Sequence, residues 1–192
     1  IFSTGAIVLS PLGEVTVAAH QIALSITSQL FMIPMSLALA LTIRTGTYYG
    51  EKNWYAMRKV QKVGLMTSTL FACITMLLLL ILRPQIVSVY TSDYNVSQAA
   101  LYLILFAIGY QLMDAWQVSA AGCLRGMQDT KGPMWITMLA YWIIAFPVGI
   151  YLARHTDMGA AGVWTGLIIG LTIACVLLLT RLYMNNKRLS QA

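Results

Sequence analysis

The sequence predicts an all-α fold, a polytopic membrane helix bundle, and three observations carry that expectation. The chain is 59% hydrophobic and 9% charged, against about 45 to 50% apolar and 25% charged in soluble domains. Its mean hydropathy is +0.74. Its apolar residues fall into runs near the roughly 20 residues needed to cross a bilayer. The net charge of +6 does not point to nucleic acid. A nucleic-acid reader interleaves Lys and Arg along one polar face, whereas here they sit between the apolar runs. Cys73, Cys123 and Cys175 lack C-x-x-C or His spacing, so neither a metal site nor a disulfide framework follows.

The elements follow in order. Residues 1–10 are apolar but make only half a span, and are expected to end a helix that begins upstream, in a larger membrane protein. The turn Pro11-Leu12-Gly13-Glu14 leads into an apolar run over 15–43, broken only by weakly polar residues and Pro34. It is expected as one long kinked span. The polar stretch 44–62 is amphipathic enough to lie on the membrane surface or to begin the next helix. Further spans are expected over 63–82, 99–124, 134–153 and 160–180.

Loop charge sets an expected orientation. Successive loops alternate sides, and cytoplasmic loops are enriched in Lys and Arg. Arg44, Lys52, Arg58, Lys59, Lys62, Arg125, Lys131, Arg181, Lys187 and Arg188 fall on one set of loops and tails. The other set holds Arg83 and Arg154 alone. This asymmetry places the C-terminus in the cytoplasm and the 90–97 and 154–159 loops outside. It also accounts for the basic character without an acidic partner.

Asp114 is the one acidic side chain in the apolar run 101–123. A charged aspartate near the centre of a membrane helix costs roughly 2.5 to 3.5 kcal/mol on insertion scales, so a proton, a cation or a partner must offset it. Residues three or four apart share a helix face, which puts Tyr110, Asp114, Gln117 and Ala121 on one stripe with Gln111 adjacent. A phenol, a carboxylate and an amide offer the oxygen ligands that a hard cation such as sodium prefers, and a proton needs only the carboxylate. The alternative is a structural aspartate satisfied by a neighbouring helix, with the amides as interhelical contacts.

A second polar cluster, His20, Gln21, Ser25, Thr27, Ser28 and Gln29, lies on the first full span. The hydroxyls can bond their own helix carbonyls. Gln21 and Gln29 each carry donors and an acceptor that suit a lumen-facing position, and His20 reads as an interfacial histidine near the outer boundary. Pro34 and Pro147 free backbone carbonyls and permit kinks. Gly162, Gly166 and Gly170 form a double G-x-x-x-G stripe for close helix packing. The methionines offer either an adaptable cargo surface or apolar filler, the second being the commoner use. The 122–130 loop reads as a turn in which Arg125 and Asp129 pair. Asn95-Val96-Ser97 matches a glycosylation sequon, a weak signal in a tripeptide.

With these residues in view, the chain resembles the multidrug and toxic-compound extrusion (MATE) transporters, in their NorM-like branch. The resemblance runs through ordered blocks: SPLGEVTVAAHQIAL, FMIPMSLALALTIRTGTYYGE, GYQLMDAWQV with GCLRGMQDT, AYWIIAFPVGIYLA and GAAGVWTGLIIGLT. It implies the C-terminal six-helix lobe of a twelve-helix transporter, from the end of the seventh helix onward, with an N-terminal lobe of the same protein facing it. It further implies efflux of small-molecule drugs and organic cations in antiport with Na+ or H+, in a bacterial inner membrane, with no cofactor beyond that ion. Tyr110 and Asp114 map to the family's cation site, and Gln21 to the same cavity. The glutamate that completes the site would fall just before Ile1. Gln29, Gln111 and Gln117 are the further cavity candidates.

Two alternatives differ in class. A lipid-linked oligosaccharide flippase of related architecture would carry a cationic central cavity for pyrophosphate, and no Lys or Arg is expected at midplane. A channel or structural subunit is allowed by composition. A membrane-embedded enzyme would need a second catalytic group near Asp114, and the spans offer none.

Overall fold

The computed structural model describes residues 13–156 and 158–190. The half-span expected over 1–10 lies outside them. Five helices are long and apolar enough to cross a membrane: α1 (Glu14–Gly50), α2 (Trp54–Tyr90), α3 (Tyr94–Gly126), α4 (Lys131–His155) and α5 (Ala160–Leu189). The described residues contain no strand. The chain is an integral membrane protein, as its composition and these helices require.

The helices overrun their apolar windows because polar sequence continues the hydrogen-bond ladder past the hydrocarbon. Residues 44–62 lie almost wholly in helix: α1 runs on to Gly50 and α2 starts at Trp54. The break between them is a short turn in which Lys52 takes a positive φ of 55°. Asn53 then caps α2, its Oδ1 accepting from the Ala56 N–H at 3.1 Å, and Asp93 caps α3 in the same way through Val96. Such caps satisfy amide groups that a helix start leaves without partners.

Helix α3 is central and packs against α1, α2 and α5, while α4 packs chiefly on α5. The α4–α5 contact follows from the glycine stripe. A Cβ on Gly166 would lie 2.5 Å from the Gly149 backbone nitrogen, and one on Gly162 2.6 Å from that of Ala153, so only glycine admits this approach.

A second small-residue stripe, Gly122 and Gly126, corrects the expected turn. Both residues lie inside α3, where added Cβ atoms would sit 2.5 Å from the Ala38 carbonyl oxygen and 2.6 Å from that of Thr42. They seat α3 on α1, and the Thr42 hydroxyl bonds the Gly122 carbonyl at 3.0 Å. Asp129, in the turn that follows, pairs with Arg181 of α5 rather than with Arg125. The Arg181 Nε lies 2.5 Å from Asp129 Oδ2 and Nη2 lies 3.0 Å from Oδ1. Asn185 and the Gly132 N–H also donate to this carboxylate. Arg181 holds Asp129 ionised below the usual carboxylate range.

Pro34 and Pro84 lie within α1 and α2. In α4, residues Leu139–Ala145 form a π-helical segment, with Pro147 at the start of the α-helical turn that follows. The Phe146 N–H bonds the Tyr141 carbonyl five residues back. This wider turn lets α4 continue through a proline that lacks an N–H.

Candidate functional site

Four helices enclose a cavity of about 800 Å³. Helix α1 contributes Gln21, Leu24, Thr27, Ser28 and Phe31; α3 contributes Tyr110, Asp114, Gln117 and Val118; α4 contributes Thr137 and Tyr141; α5 contributes Leu167 and Leu171. The volume lies within the range of small-molecule pockets, and so does the pattern of a largely apolar wall carrying a few polar groups. No Lys or Arg is among these lining residues.

Asp114 owes its position to helix spacing. Tyr110 lies four residues before it and Gln117 three after, so all three face the cavity. No side chain among the described residues hydrogen-bonds the Asp114 carboxylate, while the phenols of Tyr110 and Tyr141 both lie within its electrostatic reach. The Tyr141 hydroxyl donates to Gln117 Oε1 at 2.8 Å, which fixes that amide. The Tyr110 phenol sits beside the Thr27 hydroxyl and its ring stacks on Trp164. The result is an apolar chamber with one carboxylate, two phenols, amides and hydroxyls, all able to present oxygen.

Of the candidates read from the sequence, Gln21, Tyr110, Asp114 and Gln117 meet at this cavity. Gln111 and Gln29 do not. One residue step turns a helix by about 100°, and that carries the buried Gln111 toward α2, where its Nε2 donates to Thr75 at 2.9 Å. Gln29 also leaves the chamber, its amide donating to the Tyr90 hydroxyl at 3.2 Å. His20 is buried within the bundle, at 1% exposure. Its Nδ1 accepts from the Trp164 indole N–H at 3.2 Å.

Of the three hydroxyls expected to bond their own helix, Thr27 and Ser28 do so and also line the cavity, whereas Ser25 bonds the Tyr90 hydroxyl of α2 at 3.4 Å. Thr27 bonds the Ala23 carbonyl at 2.9 Å and Ser28 that of Leu24 at 2.6 Å, with both residues on the cavity wall. Tyr141 was not singled out by the sequence reading. The signal available for it was helix spacing: Thr137 and Tyr141, four residues apart, put a hydroxyl and a phenol on one face of an otherwise apolar span.

The family model MatE matches residues 1–151. The chain is 73% identical over 191 residues to the probable multidrug resistance protein NorM of Acinetobacter baylyi, covering 100% of this chain and 42% of that protein. It is 42% identical to the multidrug resistance protein NorM of Vibrio cholerae, covering 98% of this chain and 42% of that protein. The chain thus spans less than half the length of these relatives. Among solved structures, an outward-facing multidrug resistance MATE family transporter superposes with a TM-score of 0.90 at 18% identity, over 100% of this chain and 42% of that one. The eukaryotic MATE transporter AtDTX14 does so with a TM-score of 0.86 at 21% identity, over 92% of this chain and 40% of that one. At such identities the likeness concerns the fold, which is that of one transporter lobe.

Proposed function

The chain belongs to the MatE family as a NorM-like member, and from that premise we propose that the protein of which it forms one lobe exports drugs and organic cations, driven by Na+ or H+ entering at Asp114. The observation that carries this reading is the Asp114 carboxylate, which faces a largely apolar chamber of about 800 Å³ with no hydrogen-bond partner among the described side chains. A carboxylate so placed is costly unless a proton or cation joins it.

Tyr110 and Gln117 stand on the same helix face and supply further oxygen atoms for a hard cation. Leu24, Phe31, Val118, Leu167 and Leu171 give the chamber the apolar wall that suits greasy organic cations. Exchange requires that the two lobes alternate access to the chamber and that the ion and the drug favour different states. Charge compensation provides that difference: a cation or proton on Asp114 removes the negative charge that attracts a cationic drug. The loop charges are consistent with a bacterial inner-membrane protein whose C-terminus is cytoplasmic.

The test is Asp114→Asn in the full-length protein. The expected result is loss of sodium- or proton-driven dye efflux with an unchanged melting profile, because the amide keeps the shape and removes the charge. Coupled efflux at the wild-type rate in that variant would overturn the reading.

A further inference from the structure

A groove of about 660 Å³ lies between α2 and α5, on the far side of α3 from the chamber. Trp116, which lines the groove, is two residues from Asp114, about 200° around the helix. The groove occupies the end of the bundle where the basic loops gather. Its rim carries Arg58 and Lys62, one turn apart on α2, and Lys187 facing them from α5, with no Asp or Glu among the lining residues. Its interior is apolar, with Leu65, Met66 and Leu179 leading down to Trp116.

The rim is held in place. The Arg58 guanidinium bonds the Trp54 carbonyl at 3.1 Å and reaches across to the Ser190 hydroxyl. Just inside, Asn186 donates to Gln61 at 2.8 Å and ties the two helices together. At the deep end the Trp116 indole N–H donates to Thr69 at 2.8 Å. From Lys62 to Thr69 the wall runs about 10 Å along the helix.

We propose that this groove holds an anionic phospholipid, with its phosphate among Arg58, Lys62 and Lys187 and an acyl chain along Leu65, Met66 and Leu179. Loop charge alone explains cations at this end of the bundle. It does not explain why three of them, from two helices, surround the mouth of an apolar trough. A cationic drug is repelled by that rim, and a free anion gains nothing from the trough. A membrane lipid with a phosphate head satisfies both parts, and lysines and arginines at a membrane surface favour anionic lipid by about 1 kcal/mol each. The inference does not depend on the role of Asp114.

The test uses the purified full-length protein in neutral detergent, with phosphatidylglycerol or phosphatidylcholine brominated in the acyl chains as quenchers of tryptophan fluorescence. The signal of Trp116 is the difference between wild type and Trp116→Phe. The expected result is half-quenching of Trp116 by the anionic lipid at a mole fraction at least about tenfold lower than by the zwitterionic one. The triple substitution Arg58→Gln, Lys62→Gln, Lys187→Gln should abolish that preference without lowering the melting temperature. Native mass spectrometry of wild type and the triple variant, counting retained phosphatidylglycerol, gives the same comparison if Trp116→Phe fails to fold. Equal quenching by the two lipids, or a preference that survives the triple substitution, would overturn the proposal. So would the absence of quenching by either lipid, which would mean that another part of the protein fills the groove. Displacement of the lipid by millimolar inorganic phosphate would also overturn it, by assigning the rim to a soluble anion.

Discussion

Tyr110 stacks on Trp164, with ring centroids 5.9 Å apart and planes 19° from parallel. Trp164 in turn donates its indole N–H to His20 at 3.2 Å. A fully buried tryptophan, at 0% exposure, thus sets the position of a chamber phenol. Trp164→Ala should cost about 3 to 5 kcal/mol through the void it leaves. Trp164→Phe keeps an aromatic face against Tyr110 and loses the N–H to His20, so its cost should be nearer about 1 to 2 kcal/mol. Thermal melting of the purified full-length protein should rank wild type above the phenylalanine variant and that above the alanine variant. An alanine variant that melts with wild type would show that Trp164 does not brace this wall.

Tyr110 and Gln111 are neighbours in sequence with opposite surroundings, and that difference is measurable. Tyr110 faces the chamber, whereas Gln111 bonds Thr75 of α2. Tyr110→Phe retains the stacked ring and removes a candidate cation ligand. The cation concentration for half-maximal efflux should rise about tenfold, equivalent to about 1.4 kcal/mol. Gln111→Leu should leave that concentration unchanged and act on stability alone. A shift in cation dependence for Gln111→Leu, with none for Tyr110→Phe, would reverse the assignment.

The legible parts of the site are those that one helix determines. Tyr110, Asp114 and Gln117 share a face by spacing alone, and the cost of an aspartate in an apolar run marks that face for attention. What was not legible depends on neighbours far along the chain. Gln29 and Gln111 are as polar as Gln21 and Gln117, but Tyr90 and Thr75 of α2 draw them out of the chamber. His20 is buried by a partner 144 residues away, which a position near the end of a span does not disclose. Tyr141 shares a helix face with Thr137, four residues earlier, but nothing within α4 says that this face meets the chamber, because that depends on how α4 packs on α5. Gly122 and Gly126 lead into the polar stretch that holds Arg125 and Asp129 and read as a turn, although their missing side chains serve a helix crossing. The spans themselves were legible because length and apolarity identify them without knowledge of packing.

That crossing can be tested by comparing two glycines of the same helix. A Cβ on Gly122 meets the Ala38 carbonyl oxygen at 2.5 Å, a backbone atom that cannot rotate away, whereas one on Gly109 finds Ile168 Cδ1 at 3.9 Å. Gly122→Ala must push α1 and α3 apart and should cost about 1 to 3 kcal/mol. Gly109→Ala makes an ordinary contact and gains up to about 1 kcal/mol of helix propensity. The melting temperature should therefore fall for the first variant and hold or rise for the second. Equal losses would mean that α3 tolerates no added methyl anywhere, and the specific crossing would lose its support.

Asp129 ties the turn after α3 to α5 through Arg181, Asn185 and the Gly132 N–H, and its folded-state pKa is lowered, chiefly by the bond from Arg181. A carboxyl group that binds its proton less readily when folded adds stability that is fully present above its unfolded value, about 3.9. That contribution is lost as pH falls through the lower folded value. Arg181 is 44% exposed, so solvent screening should hold the ion pair to about 1 kcal/mol or less. The difference in melting temperature between wild type and Asp129→Asn should accordingly be constant from about pH 7 to pH 5 and shrink below about pH 4. Raised salt should reduce it, because the arginine is solvated. A difference that grows on acidification would require the opposite shift, with Asp129 held protonated in the folded protein, and would exclude Arg181 as the partner that dominates its charge state.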